Sequence, residues 1–368
     1  MASRSLFLAS LPLALALAAC DTSTGHDDAT DARAATADAA DGEASSPARE
    51  ADMFGTVTVY DPALARAVSP EARVERLADG FTWAEGPAWL PHDDSGTLLF
   101  TDVPENILYQ WTEADGVSVF LQPSGYAGPD TEALREAGAN GLFVEPDGTV
   151  LLADSGSREL ARLDPATRRK TTLVSHYEGR RLNSPNDVVR RDDGQVFFTD
   201  PPYGLKDLDD SPVKELAFNG VYRLDPDGGL HLLDDTLSFP NGVALSPDGR
   251  TLYVANSDPQ RPIWMAYTLD ADGNAGERRV FADASDLMGD DAPGLPDGLA
   301  VAADGTLFAT GPGGVIVFAA DGTRLGRIET GGPIANCTFG DDGRTLYLAA
   351  NDMLARIRVE VPGLGFAR

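Results

Sequence analysis

Six side chains with oxygen ends recur at one position of a repeated pattern: Glu85, Asn140, Asn186, Asn241, Asp297 and Asn336. Each heads a segment that runs into a glycine-containing turn 11, 8, 8, 8, 8 and 7 residues further on, and four of the six are followed directly by Gly. The set offers carboxylate and amide oxygens with neither thiolate nor imidazole. Hard donors of this kind suit Ca²⁺, with Mg²⁺ and Mn²⁺ as alternatives, better than zinc or copper. Glu85 and Asp297 would neutralise a divalent ion, and the amides would complete its shell without surplus charge. Asn-Gly and Asp-Gly pairs also serve as plain turn markers. Six in register point instead to a shared site.

The elements that must position these residues are short strands. Each oxygen-bearing residue opens a hairpin pattern, as in NGLFVEPDGTVLLAD (140–154) and NGVALSPDGRTLYVAN (241–256). In each, an apolar run leads to an Asp-Gly or Ser-Gly turn and a second apolar run. The turn glycines are Gly96, Gly148, Gly194, Gly249, Gly305 and Gly343, spaced 52, 46, 55, 56 and 38 residues apart. Further β-like runs lie between the hairpins, such as 220–224 and 230–233, and only 130–137 has a brief helical pattern. A period near 50 made of strands alone predicts an all-β, six-bladed β-propeller. Equivalent blade positions then form a ring about the central axis, and the six oxygen-bearing residues converge at one mouth of the channel.

The chain has 368 residues with 58 acids, 29 Lys or Arg and a net charge of −29. Such a charge repels polyanions and argues against a nucleic-acid partner. Two cysteines, Cys20 and Cys337, provide neither a disulfide framework nor a thiolate zinc site. The four histidines lie far apart, with no HExxH or GxSxG pattern beside them. Arg4 and the apolar run 6–19 read as a signal peptide (1–19). Its end, Leu17-Ala18-Ala19-Cys20, resembles a bacterial lipobox, so Cys20 is the expected lipidation site. Residues 20–52 hold nine acids and no large apolar side chain, and read as a disordered acidic tether. The propeller is expected over 53–368. The organisation implies a bacterial envelope protein, periplasmic or surface-facing, that meets the membrane only through its lipid anchor. A closed propeller has no open sheet edge, so a monomer is expected. Cys337 is expected as a buried thiol.

Glu85-Gly86-Pro87, Pro123-Ser124-Gly125-Tyr126, Asn140-Gly141-Leu142 and Arg181-Leu182-Asn183-Ser184-Pro185-Asn186-Asp187 occur in that order. They are followed by Thr199-Asp200-Pro201-Pro202-Tyr203-Gly204, Phe239-Pro240-Asn241-Gly242, Pro296-Asp297-Gly298 and Ala335-Asn336-Cys337-Thr338-Phe339. This series resembles the gluconolactonase branch of the senescence-marker-protein-30/gluconolactonase family. The resemblance implies a six-bladed propeller that hydrolyses a sugar lactone, such as glucono-1,5-lactone, with one divalent ion, usually calcium, on its axis. It further implies Glu85, Asn186, Asn241 and Asp297 as metal ligands, and Asn140 and Asn336 as pocket residues. Arg181, Tyr126 and Tyr203 stand in motif loops where they could meet sugar hydroxyls. One departure is Asp154-Ser155-Gly156, where this branch often carries Glu-His-Gly or Gln-His-Gly, which leaves the particular lactone open.

Lactone hydrolysis needs a polarised carbonyl, an activated water and a stabilised oxyanion. Asp297 is the expected general base, either as a ligand that orients water or in exchange with that role. Asp187 is a candidate to orient the Asn186 amide, and Glu85 is assigned to the metal alone. Alternatives on the same centre are an esterase or a phosphotriester hydrolase. A tethered propeller that binds sugars or a protein without turnover is the non-enzymatic alternative.

Overall fold

The computed structural model describes residues 52–92 and 96–366. The signal peptide, most of the tether and Cys20 lie outside them. Six antiparallel sheets form the blades of a propeller, spanning 84–121, 142–174, 188–234, 240–283, 299–329 and 336–358. Five of the second strands, among them Gly96–Asp102, Val150–Asp154, Val196–Asp200 and Thr345–Ala350, are buried along their whole length. Each is covered on both faces by neighbouring blades, which explains why these runs are continuously apolar. The outermost strands, such as Arg169–Val174 and Ala275–Asp283, are mostly exposed.

The core is a series of layers between adjacent blades. Phe197 and Val221 of the third blade pack on Val243, Val254 and Tyr267 of the fourth. Trp264 of the fourth meets Leu299, Ile316 and Phe318 of the fifth. The circle closes where Leu98, Phe100 and Trp111 of the first blade meet Tyr347 and Leu354 of the sixth.

Closure also uses the N-terminal segment. The sixth blade takes its three inner strands from the C-terminal end of the chain, its fourth from Val74–Asp79, and an edge strand from Asp52–Phe54. Asp52 therefore belongs to the sheet rather than to the tether. Thr56–Val59 then adds a fifth strand to the neighbouring fifth blade. Gly55 makes the crossing at φ +65°, where a Cβ would press on the Glu329 carbonyl.

Two local expectations are corrected. Gly148, Gly194, Gly249, Gly305 and Gly343 turn with positive φ as anticipated, but Gly96 opens a strand opposite Pro91 and leaves room for the Trp89 indole. Segment 130–137 forms no helix: Leu134 bridges Leu205, and Lys206 N donates to Ala133 O at 3.0 Å. Eight residues seldom hold a helix without packing that favours it, and here the packing favours pairing with another loop.

Candidate active site

The six repeated residues lie at the axial ends of the innermost strands. Glu85, Asn241 and Asn336 stand within strands Ala84–Pro91, Pro240–Leu245 and Asn336–Gly340. Asn140, Asn186 and Asp297 precede theirs, with their N–H groups bonded to Ala153, Thr199 and Thr310 carbonyls. The glycines that follow four of them are spacers for blade contact. A Cβ on Gly86 would collide with the Asn140 carbonyl, one on Gly141 with Asp187, one on Gly242 with the Asp297 carbonyl, and one on Gly298 with the Asn336 side chain. Each Gly thus admits the next blade's ring residue. Where Gly is replaced by Asp187, the carboxylate accepts from Val188 N at 2.9 Å and Val243 N at 3.0 Å. Asp187 ties the third blade to the fourth, a different task from the expected one of orienting Asn186.

Hydroxyls from the second strands, or from just beyond one in the case of Ser155, fasten the ring from outside. Thr101 donates to Asn140 O at 3.0 Å, Ser155 to Pro185 O at 2.6 Å, Thr199 to Asn241 O at 2.7 Å and Thr310 to Ala335 O at 2.9 Å. Ser257 donates to Pro296 O, and its own hydroxyl accepts from Asn241 Nδ2 at 2.9 Å. These bonds cross five of the six blade seams, one at each. At the sixth, Ala84 N donates to Asn351 O and Asn336 Nδ2 to Glu85 Oε2 at 3.1 Å. The signal was in the sequence: a Thr or Ser recurs at the end of each of these second apolar runs.

The two most specific motifs interlock. Asp200 accepts from Asn183 N and Ser184 N, each at 2.8 Å, while Ser184 Oγ donates to Pro201 O and accepts from Gly204 N. Much of the Arg-Leu-Asn-Ser-Pro-Asn-Asp block is therefore a brace that presents Asn186 on one side and Tyr203 on the other.

Five ring members are buried, Glu85 to 2% exposure, whereas Asp297 keeps a partly open surface. Its Oδ1 is nonetheless buried and has no hydrogen-bond partner. Burial pushes the Glu85 carboxyl up to about 8, with the Asp187 and Glu136 charges adding to the effect. Burial likewise raises Asp297 well above the usual range, helped by Glu85, Asp187 and Glu136. Asn241 stands where it favours the ionised form of Asp297. Two desolvated carboxylates among amide oxygens, one with an orphaned atom, fit the donor chemistry of a hard cation. Among the described residues, no three His, Cys, Asp or Glu side chains gather in ligand geometry; a cation here would draw on these two carboxylates together with amide oxygens of the ring.

The remaining sequence candidates divide. Tyr203 stacks on Phe239 at 5.5 Å, donates from Oη to Ser257 O at 3.4 Å, and feels the Asp297 charge, so it belongs to the site. Arg181 lies in a two-stranded ribbon and donates from Nη2 to Ser157 O at 2.7 Å, on the loop that follows Ser155. Tyr126 is half-buried beside Gly128, and its side chain makes no hydrogen bond to a ring residue among the described residues. Glu136, which the repeat does not flag, comes close enough for its charge to act on Glu85, Asp297 and Tyr203. Cys337 is buried as expected, with Sγ 3.6 Å from Phe308 O. The wide channel of about 2420 Å³ opens on the opposite, turn side, between residues such as Asp147, Asp248 and Asp342; it touches the ring at Asn336 and comes next to it at Gly86 and Asp187.

Residues 83–351 match the model of the SMP-30/gluconolactonase/LRE-like region. The chain belongs to this family. A gluconolactonase from Zymomonas mobilis subsp. mobilis is 43% identical over 314 residues, covering 84% of this chain and 88% of that protein. A pentonolactonase from Haloferax volcanii is 26% identical over 251 residues, 67% of this chain and 72% of its own. Among solved structures, a gluconolactonase from Xanthomonas campestris superimposes with a TM-score of 0.70 at 34% identity, covering 84% of this chain and 99% of that one. The SMP-30/gluconolactonase match begins two residues before Glu85 and ends beyond Asn336, so it encloses the complete ring.

Proposed function

We propose that this protein hydrolyses a sugar lactone, such as glucono-1,5-lactone, to the aldonic acid, with Ca²⁺ as the favoured metal and Mg²⁺ or Mn²⁺ as substitutes. The observation that carries the reading is Asp297 itself: it is the ring acid with an open surface, and its buried Oδ1 is unpartnered. The identity to lactone-hydrolysing relatives supports the substrate class. Glu85, Asn186, Asn241 and Asp297 would hold the ion, which when bound supplies Lewis-acid polarisation of the carbonyl and offsets the two buried negative charges. The chain's own residues do the rest. Asp297 removes a proton from the attacking water as the new C–O bond forms at the carbonyl carbon. It returns that proton to the ring oxygen when the endocyclic C–O bond breaks. Asn241 keeps the Asp297 carboxylate oriented, and Ser257 fixes the Asn241 amide. Asn140, Asn336 and Tyr203 border the sugar, with Arg181 and Tyr126 further out on the motif loops.

The Leu17–Cys20 pattern supports a lipid anchor, which would hold a monomeric propeller at the bacterial envelope. A panel of glucono-1,5-lactone, an aryl ester and a dialkyl aryl phosphate, assayed on one preparation, tests the activity. Turnover highest on the lactone is expected. Turnover confined to the phosphate or the aryl ester would overturn the lactonase reading.

A further inference from the structure

Glu136 sits in the connection between the first and second blades, outside every repeated position. Its backbone is fixed from three sides. Arg135 N and Glu136 N both donate to Gly204 O, at 2.9 and 3.4 Å, beside Tyr203. The next carbonyl, Ala137 O, accepts from Tyr126 N at 2.8 Å and occupies space that a Cβ on Gly125 or Gly156 would take. Gly138 N donates to Val103 O at 3.0 Å. The segment is thus threaded between the loops that carry Tyr126, Ser155 and Tyr203, four residues ahead of Asn140.

The side chain is 16% exposed, and its charged partner is Arg135, 3.5 Å away and itself 52% exposed. Among the described residues, no hydrogen bond shorter than that contact reaches the carboxylate. Beyond that ion pair the carboxylate has acceptor capacity to spare, and it lies close enough for its charge to act on Glu85, Asp297 and Tyr203. Burial raises the acid to about 7, and above that pH it stands as a carboxylate that only accepts. A lactone group carries acceptors only, so an acceptor-only carboxylate at this place gains nothing from the ester itself. It gains from hydroxyl donors, and charge-assisted O–H···O⁻ bonds are among the stronger ones.

We infer that Glu136 is a specificity-determining residue whose carboxylate accepts hydrogen bonds from the hydroxyls of the sugar lactone. The inference rests on the lactonase reading above and adds the group that makes the site select polyhydroxylated over plain lactones. Losing one charge-assisted bond should weaken recognition by ~10-fold or more.

The test compares the full chain with Glu136→Gln and Glu136→Ala on glucono-1,5-lactone and on unsubstituted δ-valerolactone, with thermal melts as a fold control. KM for gluconolactone should rise in the order wild type, Gln, Ala, with kcat within about threefold, so that the preference for gluconolactone over valerolactone falls ~10-fold. Equal loss on both lactones, or a fall in kcat alone, would assign Glu136 to proton transfer or to the fold and overturn the inference. Unchanged selectivity in both variants would make it a bystander. If the wild type hydrolysed neither lactone, the lactonase reading would fail first and take the inference with it.

Discussion

Asp297 and Glu85 differ in what surrounds them more than in chemistry. Glu85 is closed in by Gly86 N at 2.8 Å and Asn336 Nδ2, while Asp297 retains an open surface and an unbonded Oδ1. Asp297→Asn should therefore lower kcat by about 10²–10⁴-fold while leaving weakened calcium binding measurable by calorimetry. Wild-type turnover in that variant would remove Asp297 from the chemistry. Both acids are raised by burial, Glu85 to about 8 from its ordinary value of 4.5. A group held above its unfolded pKa costs the folded state nothing below that value. The cost then grows with pH until the folded pKa is passed. Through Glu85, metal-free protein should thus lose stability between about pH 4.5 and 8, by at most ~1.4 kcal/mol per pH unit, and the raised Asp297 acts in the same direction. Calcium, by pairing with the ionised acids, should remove that loss. Melting curves in chelator and in calcium should separate progressively over this range; a gap that stays constant with pH would contradict the assignment. At this scale the sequence was readable where the repeat spoke. Six equivalent positions gave the ring, whereas Glu136 lies in an irregular connection without a counterpart in any other blade.

The ring is held by paired devices on neighbouring strands. Glycine after a ring residue lets the next blade approach, and a hydroxyl from a second strand fastens the approaching carbonyl. Gly242→Ala should force the Asp297 backbone away. It should cost about 1–3 kcal/mol in urea unfolding and raise the calcium concentration needed for activity. Thr199→Val, which removes the bond to Asn241 O, should cost about 1 kcal/mol with a smaller calcium effect. If Gly242→Ala melted and bound calcium like the wild type, the spacer role would be wrong. Hairpin boundaries followed from Gly turns because positive φ leaves a local signature. Gly96 and segment 130–137 misled for one physical reason: each is decided by a partner distant in sequence. Gly96 makes room for Trp89, and Leu134 pairs with Leu205 across two blades.

Across the whole molecule, the N-terminal strands join the last two blades, a feature that six similar hairpins could not reveal because it depends on pairing between the chain's two ends. Removing residues through Val59 strips the edge strand from the fifth and sixth blades, and should lower Tm by roughly 5 °C or more. An unchanged Tm would show those strands to be ornamental. The acidity, with 58 acids against 29 bases, makes a chelatable hard cation on the axis consistent with the chain as a whole. The most direct measurement is hydrolysis of glucono-1,5-lactone by metal-stripped protein titrated with Ca²⁺, read as proton release above the spontaneous rate. The axial-ring account predicts turnover that is absent in chelator and restored saturably by calcium. Full activity in the stripped protein, or calcium binding that Asp297→Asn and Asn241→Ala leave untouched, would contradict it.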